Sequence, residues 1–127
     1  MGLILDTNAL SAIADAEPGA SAQFAEARRV AIPVIVLGEF RFGIGHSRNK
    51  QRYERWLEEL VSVCDVFVVD EETAIRYAEI RADLKQAGTP IPSNDMWIAA
   101  LARQHALPVL SRDRHFDLVK EVQRVGW

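Results

Sequence analysis

Four acidic side chains stand where strands give way to loops or helices begin. Asp6 follows Leu3-Ile4-Leu5, Glu39 follows an Ile32-Pro33-Val34-Ile35-Val36 run, Asp95 opens a helix-patterned segment, and Asp113 follows Pro108-Val109-Leu110-Ser111. Each alone has an ordinary explanation, because an acid in the first turn of a helix gains roughly 0.3–1 kcal/mol from the helix dipole. Four acids drawn to one rim are different: they repel, and each loses hydration, so a cation must compensate them. Hard oxygen donors in this number suit Mg²⁺ or Mn²⁺ better than zinc. The chemistry of such a centre is phosphodiester hydrolysis, with one ion activating a water and a second, about 3.5–4 Å away, stabilising the leaving oxygen. Asp6 and Asp95 are read as central ligands, with Glu39 and Asp113 completing the site, orienting the water or holding the second ion. Thr7, Asn8 and Ser111 are candidates for contacting a phosphate or an outer water; for Asn8, local backbone capping is the stronger reading.

The acids meet only if the surrounding elements bring them together. The β-branched and apolar runs at residues 3–5, 32–36, 66–69 and 108–111 read as strands, with a further edge strand at 122–127. Helices are expected from a cap at Thr7 or Asn8 to a break at Pro18-Gly19, then over residues 21–29, from near Leu37, over 50–61, from Asp70 to Gly88, from Ser93 or Asn94 to His105, and briefly over 115–119. Ala74, Ala78 and Ala82 read as a narrow packing stripe, and Asp70 as a helix cap rather than a ligand. Strands alternating with helices predict one three-layer α/β/α sandwich spanning residues 1–127, around a parallel sheet of four to five strands. In such folds ligands bind beyond the carboxyl ends of the strands, which is the rim reached by Asp6, Glu39, Asp95 and Asp113.

With 127 residues, 49% of them hydrophobic, the chain suits a single self-supporting core. The lone Cys64 cannot form an internal disulfide, no apolar run is long enough to cross a bilayer, and the N-terminus lacks the basic and apolar regions of a signal peptide. These features predict an unprocessed cytoplasmic protein. Fifteen basic and eighteen acidic residues leave a net charge of −3, against the usual basic balance of a nucleic-acid enzyme. Between Arg41 and Arg55, however, Arg41, Arg48, Lys50, Arg52 and Arg55 are interrupted by a single acid, Glu54, and Arg112 and Arg114 flank Asp113. These form either a basic rim around the acidic pocket or a solvated helix face. His46, His105 and His115 do not have zinc-ligand spacing, and His115 is assigned to the surface or a helix cap before a phosphate contact. Trp56, Trp97 and Trp127 are candidates for stacking on RNA bases, Trp97 more readily for core packing.

Leu5-Asp6-Thr7-Asn8 resembles the opening motif of PIN domains. The segment from Pro33 to Gly43 resembles the second acidic block of VapC-type toxins, Asn94-Asp95-Met96-Trp97-Ile98-Ala99-Ala100 the third, and Leu110-Ser111-Arg112-Asp113-Arg114-His115-Phe116 the fourth. Order and spacing agree from end to end. The family's acidic quartet then falls on Asp6, Glu39, Asp95 and Asp113, and Ser111 stands where many members carry threonine. The resemblance implies an endoribonuclease that needs Mg²⁺ or Mn²⁺ and cleaves transfer or ribosomal RNA. It also implies a homodimer and a small VapB-type antitoxin, which blocks the acidic site and carries the complex to promoter DNA. Phe40, Phe42 and Tyr53 are expected to line the groove for that partner. Two other readings compete: a PIN nuclease in housekeeping RNA processing, and a non-catalytic receiver domain. The second lacks support in the sequence, since Asp6 is not followed by another acid and Ser111 is not followed by lysine.

Overall fold

A computed structural model describes all residues, 1–127. Strand β1 (Gly2–Leu5) lies at the centre of a five-stranded sheet, between β2 (Arg29–Pro33) and β4 (Val109–Leu110). β3 (Asp65–Phe67) and β5 (Arg124–Val125) form the two edges, giving the order β3-β2-β1-β4-β5 with every pair parallel. A receiver domain orders its strands 2-1-3-4-5, so this topology excludes that reading.

The order dictates where the helices go. Parallel crossovers are right-handed, so travel from β1 to β2 to β3 and travel from β3 back to β4 place their helices on opposite faces. The helices accordingly pack as two sets. The first contains α1 (Thr7–Ala14), α2 (Pro18–Glu26), α3 (Val34–Ile44) and α4 (Lys50–Val63); the second pairs α5 (Glu71–Ala87) with α6 (Ser93–His105). The direction of travel reverses between β1 and β4. There Leu5 pairs with Leu110, so Asp6 and Ser111 leave the sheet side by side. One core runs through both layers, from Leu3, Ile4 and Leu5 in β1 to Ile98 and Leu101 in α6 and Phe116 beyond β4, all fully shielded.

Several element boundaries differ from the sequence reading. Val34, Ile35 and Val36 open α3 instead of ending β2, because burial of Val36, Phe40 and Ile44 follows a four-residue helical spacing. That contact overrides the strand preference of β-branched residues, and β2 begins earlier, at Arg29. Glu39 is thereby in the second turn of α3, not the first. Pro18 starts α2, capped by Glu17, since proline fits the first helical position. Asp6, not Thr7 or Asn8, caps α1, and Pro92 precedes α6 without a side-chain cap bond. Val68 and Val69 lie outside the sheet and are exposed. On α5 the buried residues are Thr73, Ile80 and Leu84, while Ala74, Ala78 and Ala82 face outward. Ile80 and Leu84, each two positions from an alanine of the stripe, remove more apolar surface from water and take the inner face. Asp70 does cap α5, in a reciprocal pair with Thr73, and Gly88 closes it at φ 72°.

Phe116 is the anchor of the short 3₁₀ helix (Arg114–Leu118) that follows Asp113. Phe116→Ala is expected to destabilise the fold by about 3–5 kcal/mol, seen as a lower urea midpoint at unchanged slope; a midpoint equal to wild type would show that this anchor is dispensable.

Candidate active site

The acidic residues are positioned by backbone that has little freedom. Asp6 is 3% exposed, at the end of the central strand. Its Oδ1 accepts the Ala9 N–H at 2.8 Å, which caps α1, and its Oδ2 accepts the Ser111 hydroxyl. Ser111 is itself fully buried, and its Oγ accepts the Asp113 N–H at 2.8 Å. One hydroxyl thus ties the acid after β1 to the acid after β4. Asp113 caps the 3₁₀ helix by accepting the His115 N–H at 2.9 Å. Asp95 is in the first turn of α6, half-buried.

The side chains converge at the reversal point of the sheet. His115 Nδ1 lies 2.9 Å from Asp113 Oδ1 and 3.2 Å from Asp95 Oδ2, and donor atoms of these three residues all fall within 4.8 Å of one another. Asp6 lies outside that trio but feels it: burial is the main cause that lifts its carboxyl from 3.8 to about 6, with the charges of Asp95 and Asp113 adding to the rise. Asp95 is also pushed above the usual carboxylate range by burial, opposed by its bond to His115. His115 is held above its ordinary value, chiefly by that same bond to Asp95. Glu39 stands to one side, and its link to the group is Thr7, the neighbour of Asp6, whose hydroxyl donates to Glu39 Oε1 at 2.9 Å.

A cleft of about 320 Å³ opens beside Thr7 and Glu39, walled by Ser11, Phe40 and Tyr53, with Tyr53 donating to Asp15 at 2.5 Å. Phe40 and Tyr53 line this cleft, and Phe42 is 85% exposed. Asn8 is exposed. The basic candidates Arg41, Arg112 and Arg114 are all exposed; Arg112 lies over the Trp127 ring at 4.9 Å and 3.9 Å from Glu17. Trp97 stacks on Tyr77 at 3.9 Å and Trp56 packs 5.9 Å from Phe40, so both are engaged within the protein. The residue that the sequence reading undervalued is His115. Its proximity to Asp113 in the chain was the only available signal, and Asp95, twenty positions away, gave none.

The donor set fits a hard divalent cation. Asp6, buried, and Asp95 and Asp113, half-buried, crowd negative charge, and the one cationic partner in contact is a single imidazole ring. Arg124 is taken up by Asp117, at 2.9 and 3.1 Å, and by the Ser111 carbonyl at 3.1 Å.

Comparison with known proteins gives the class. The sequence matches the PIN domain over residues 3–122. It is 37% identical over 90 residues to ribonuclease VapC5 of Mycobacterium tuberculosis, covering 69% of this chain and 67% of that one. It is 30% identical over 100 residues to the tRNA(fMet)-specific endonuclease VapC of Salmonella typhimurium, covering 78% and 76%. Among solved structures, the DNA-bound VapBC complex of Salmonella typhimurium superposes with a TM-score of 0.87 at 27% identity, over 100% of this chain and 98% of that one. The DNA-bound VapBC2 complex of Rickettsia felis shares the fold, with a TM-score of 0.88 at 23% identity, over 100% and 99%. Fold, site and relatives together define a small α/β nuclease. The chain belongs to the PIN-domain family.

The raised value for Asp6 has a consequence for stability. Its folded-state pKa lies above that of the unfolded chain, so the native state loses stability as pH rises from about 4 through about 6, when a buried charge must form. Without metal, Asp6→Asn should therefore stabilise the protein by about 1–3 kcal/mol at pH 7.5 and give no gain near pH 4. Urea unfolding in a chelator measures this; a variant less stable than wild type at pH 7.5 would contradict the burial cost.

Proposed function

We propose that the chain is a Mg²⁺- or Mn²⁺-dependent endoribonuclease, the toxin of a type II toxin–antitoxin pair. The observation that carries this reading is the gathering of Asp6, Asp95 and Asp113 at the reversal point of the sheet, with their charge left largely uncompensated by protein. Asp6, Asp95 and Asp113 would hold the metal, with Glu39 completing the site from the cleft side. When bound, a divalent ion supplies charge for the phosphate oxygens and activates water for attack on phosphorus. The protein's part is to fix the acids in advance. The Ala9 N–H and Ser111 hydroxyl aim the Asp6 carboxylate, the Ser111 oxygen holds the Asp113 backbone, and the Thr7 hydroxyl holds Glu39 beside the start of α1. No covalent nucleophile is required. Arg41, Arg112 and Arg114, exposed and near Glu39 and Asp113 in the chain, are candidates for the RNA backbone.

The toxin assignment draws on the relatives named as VapC ribonucleases and on the VapBC complexes that share the fold. By that kinship the substrate is transfer or ribosomal RNA, the protein is a cytoplasmic homodimer, and a VapB-type antitoxin neutralises it and mediates any contact with DNA. A short reading frame immediately upstream, encoding a small DNA-binding protein, is expected and would separate this role from housekeeping RNA processing.

Purified protein should cut cellular RNA at discrete sites in millimolar Mg²⁺ or Mn²⁺ and stop in a chelator. Asp95→Ala should reduce the rate by about 100-fold or more, since a metal's stabilisation of the transition state amounts to several kcal/mol. Sequencing of the new RNA ends reads both; RNA left intact with either ion, or cleavage undiminished in Asp95→Ala, contradicts the proposal.

A further inference from the structure

His115 is placed as a metal ligand would be, and the family quartet does not include it. Its Nδ1 sits 2.9 Å from one Asp113 oxygen and 3.2 Å from one Asp95 oxygen. Two donors at right angles around an ion, each about 2.1 Å from it, are about 3.0 Å apart. The spacing is therefore that of neighbouring ligands on one ion as well as that of a hydrogen bond. The local fold supports it. The His115 backbone is fixed through its N–H bond to Asp113 and by the neighbouring Phe116, which is fully buried, while its side chain is 44% exposed and in contact with the two acids. A rigid backbone with a ring facing solvent and two carboxylates is the arrangement by which a side chain reaches an ion without repacking the core.

We propose that His115 Nδ1 binds the divalent ion directly, beside Asp95 and Asp113, and so biases this site toward Mn²⁺ over Mg²⁺. The inference rests on the nuclease reading and adds to it the identity of the ion. Mg²⁺ demands oxygen donors and keeps its waters, whereas transition ions accept imidazole nitrogen. A centre of carboxylates alone would discriminate weakly between the two ions; one nitrogen donor makes the difference.

The test uses the full-length protein and Mn²⁺ alone, without RNA. Pulsed electron paramagnetic resonance of the bound Mn²⁺ should show coupling to a directly ligated nitrogen, and the coupling should disappear in His115→Ala. In the same variant Mn²⁺ affinity, measured by titration calorimetry, should fall on the order of 10- to 100-fold, and Mg²⁺ affinity by less than about threefold. If His115→Ala does not fold, wild-type protein with ¹⁵N-labelled histidine decides the question, because the coupling must change to that of the heavier isotope. Bound Mn²⁺ with no nitrogen coupling, or equal losses for both ions, overturns the proposal. Where that Mn²⁺ is still lost in Asp95→Asn, the nuclease reading survives and only the ligand assignment fails. Failure of Mn²⁺ to bind the wild type at all overturns both.

Discussion

The burial of Asp6 is the constraint around which this molecule is arranged. A carboxylate at the end of the central strand, with other acids nearby, is an unfavourable thing to fold around, and its pKa of about 6 expresses that cost. The cost is contained by two hydrogen bonds that hold the charged form, from the Ala9 N–H and the Ser111 hydroxyl. Neither removes the mutual repulsion with Asp95 and Asp113. A cluster of acids built this way favours a cation, and the same preorganisation that weakens the protein without metal would serve it with one.

Topology decides that these acids meet. Because the chain travels outward from β1 to β3 and then crosses back to β4, the connections leaving β1 and β4 go to opposite faces and leave a crevice between them. Asp6 and Ser111 flank it by register, since Leu5 and Leu110 are paired. Asp95 comes from the α5–α6 layer and Glu39 from the α1–α4 layer, so the two helical layers each contribute an acid to a seam that belongs to neither. Side chains far from the seam act through this frame. Phe116 matters to the site because, fully buried, it seats the turn that carries Asp113 and His115.

Much of this was legible in the sequence where one physical cause dominated. Leu3-Ile4-Leu5 followed by Asp6 reads as a buried strand meeting a site, and Asp70 reads as a cap because Glu71 and Glu72 beside it have the pattern of a helix start. A parallel sandwich of four to five strands follows from the alternation of strands and helices. Competing causes hid the rest. Val34, Ile35 and Val36 favour a strand by their own stiffness, and only contact with the core through Val36, Phe40 and Ile44 makes them helical. The alanines of α5 imitate a packing stripe until the bulkier Ile80 and Leu84 are seen to take the inside. His115 was opaque for a different reason: its partner Asp95 is distant in sequence, and pairings between single residues of different elements leave no periodic trace.

The basic residues illustrate a similar limit. Arg112 flanks an acid of the site in sequence, yet in space it is engaged by Glu17 and Trp127. Charge beside a motif does not establish charge beside a substrate. The acids, by contrast, are fixed by strand register and helix starts, the most strongly determined features of the chain. The central claim is that these acids form one site that wants a divalent ion, and melting temperature against ion concentration tests it most directly. Mg²⁺ or Mn²⁺ in the millimolar range should raise the melting temperature progressively in wild type and not in a variant lacking Asp6 and Asp95; a wild-type melting temperature that does not move with either ion would contradict the account.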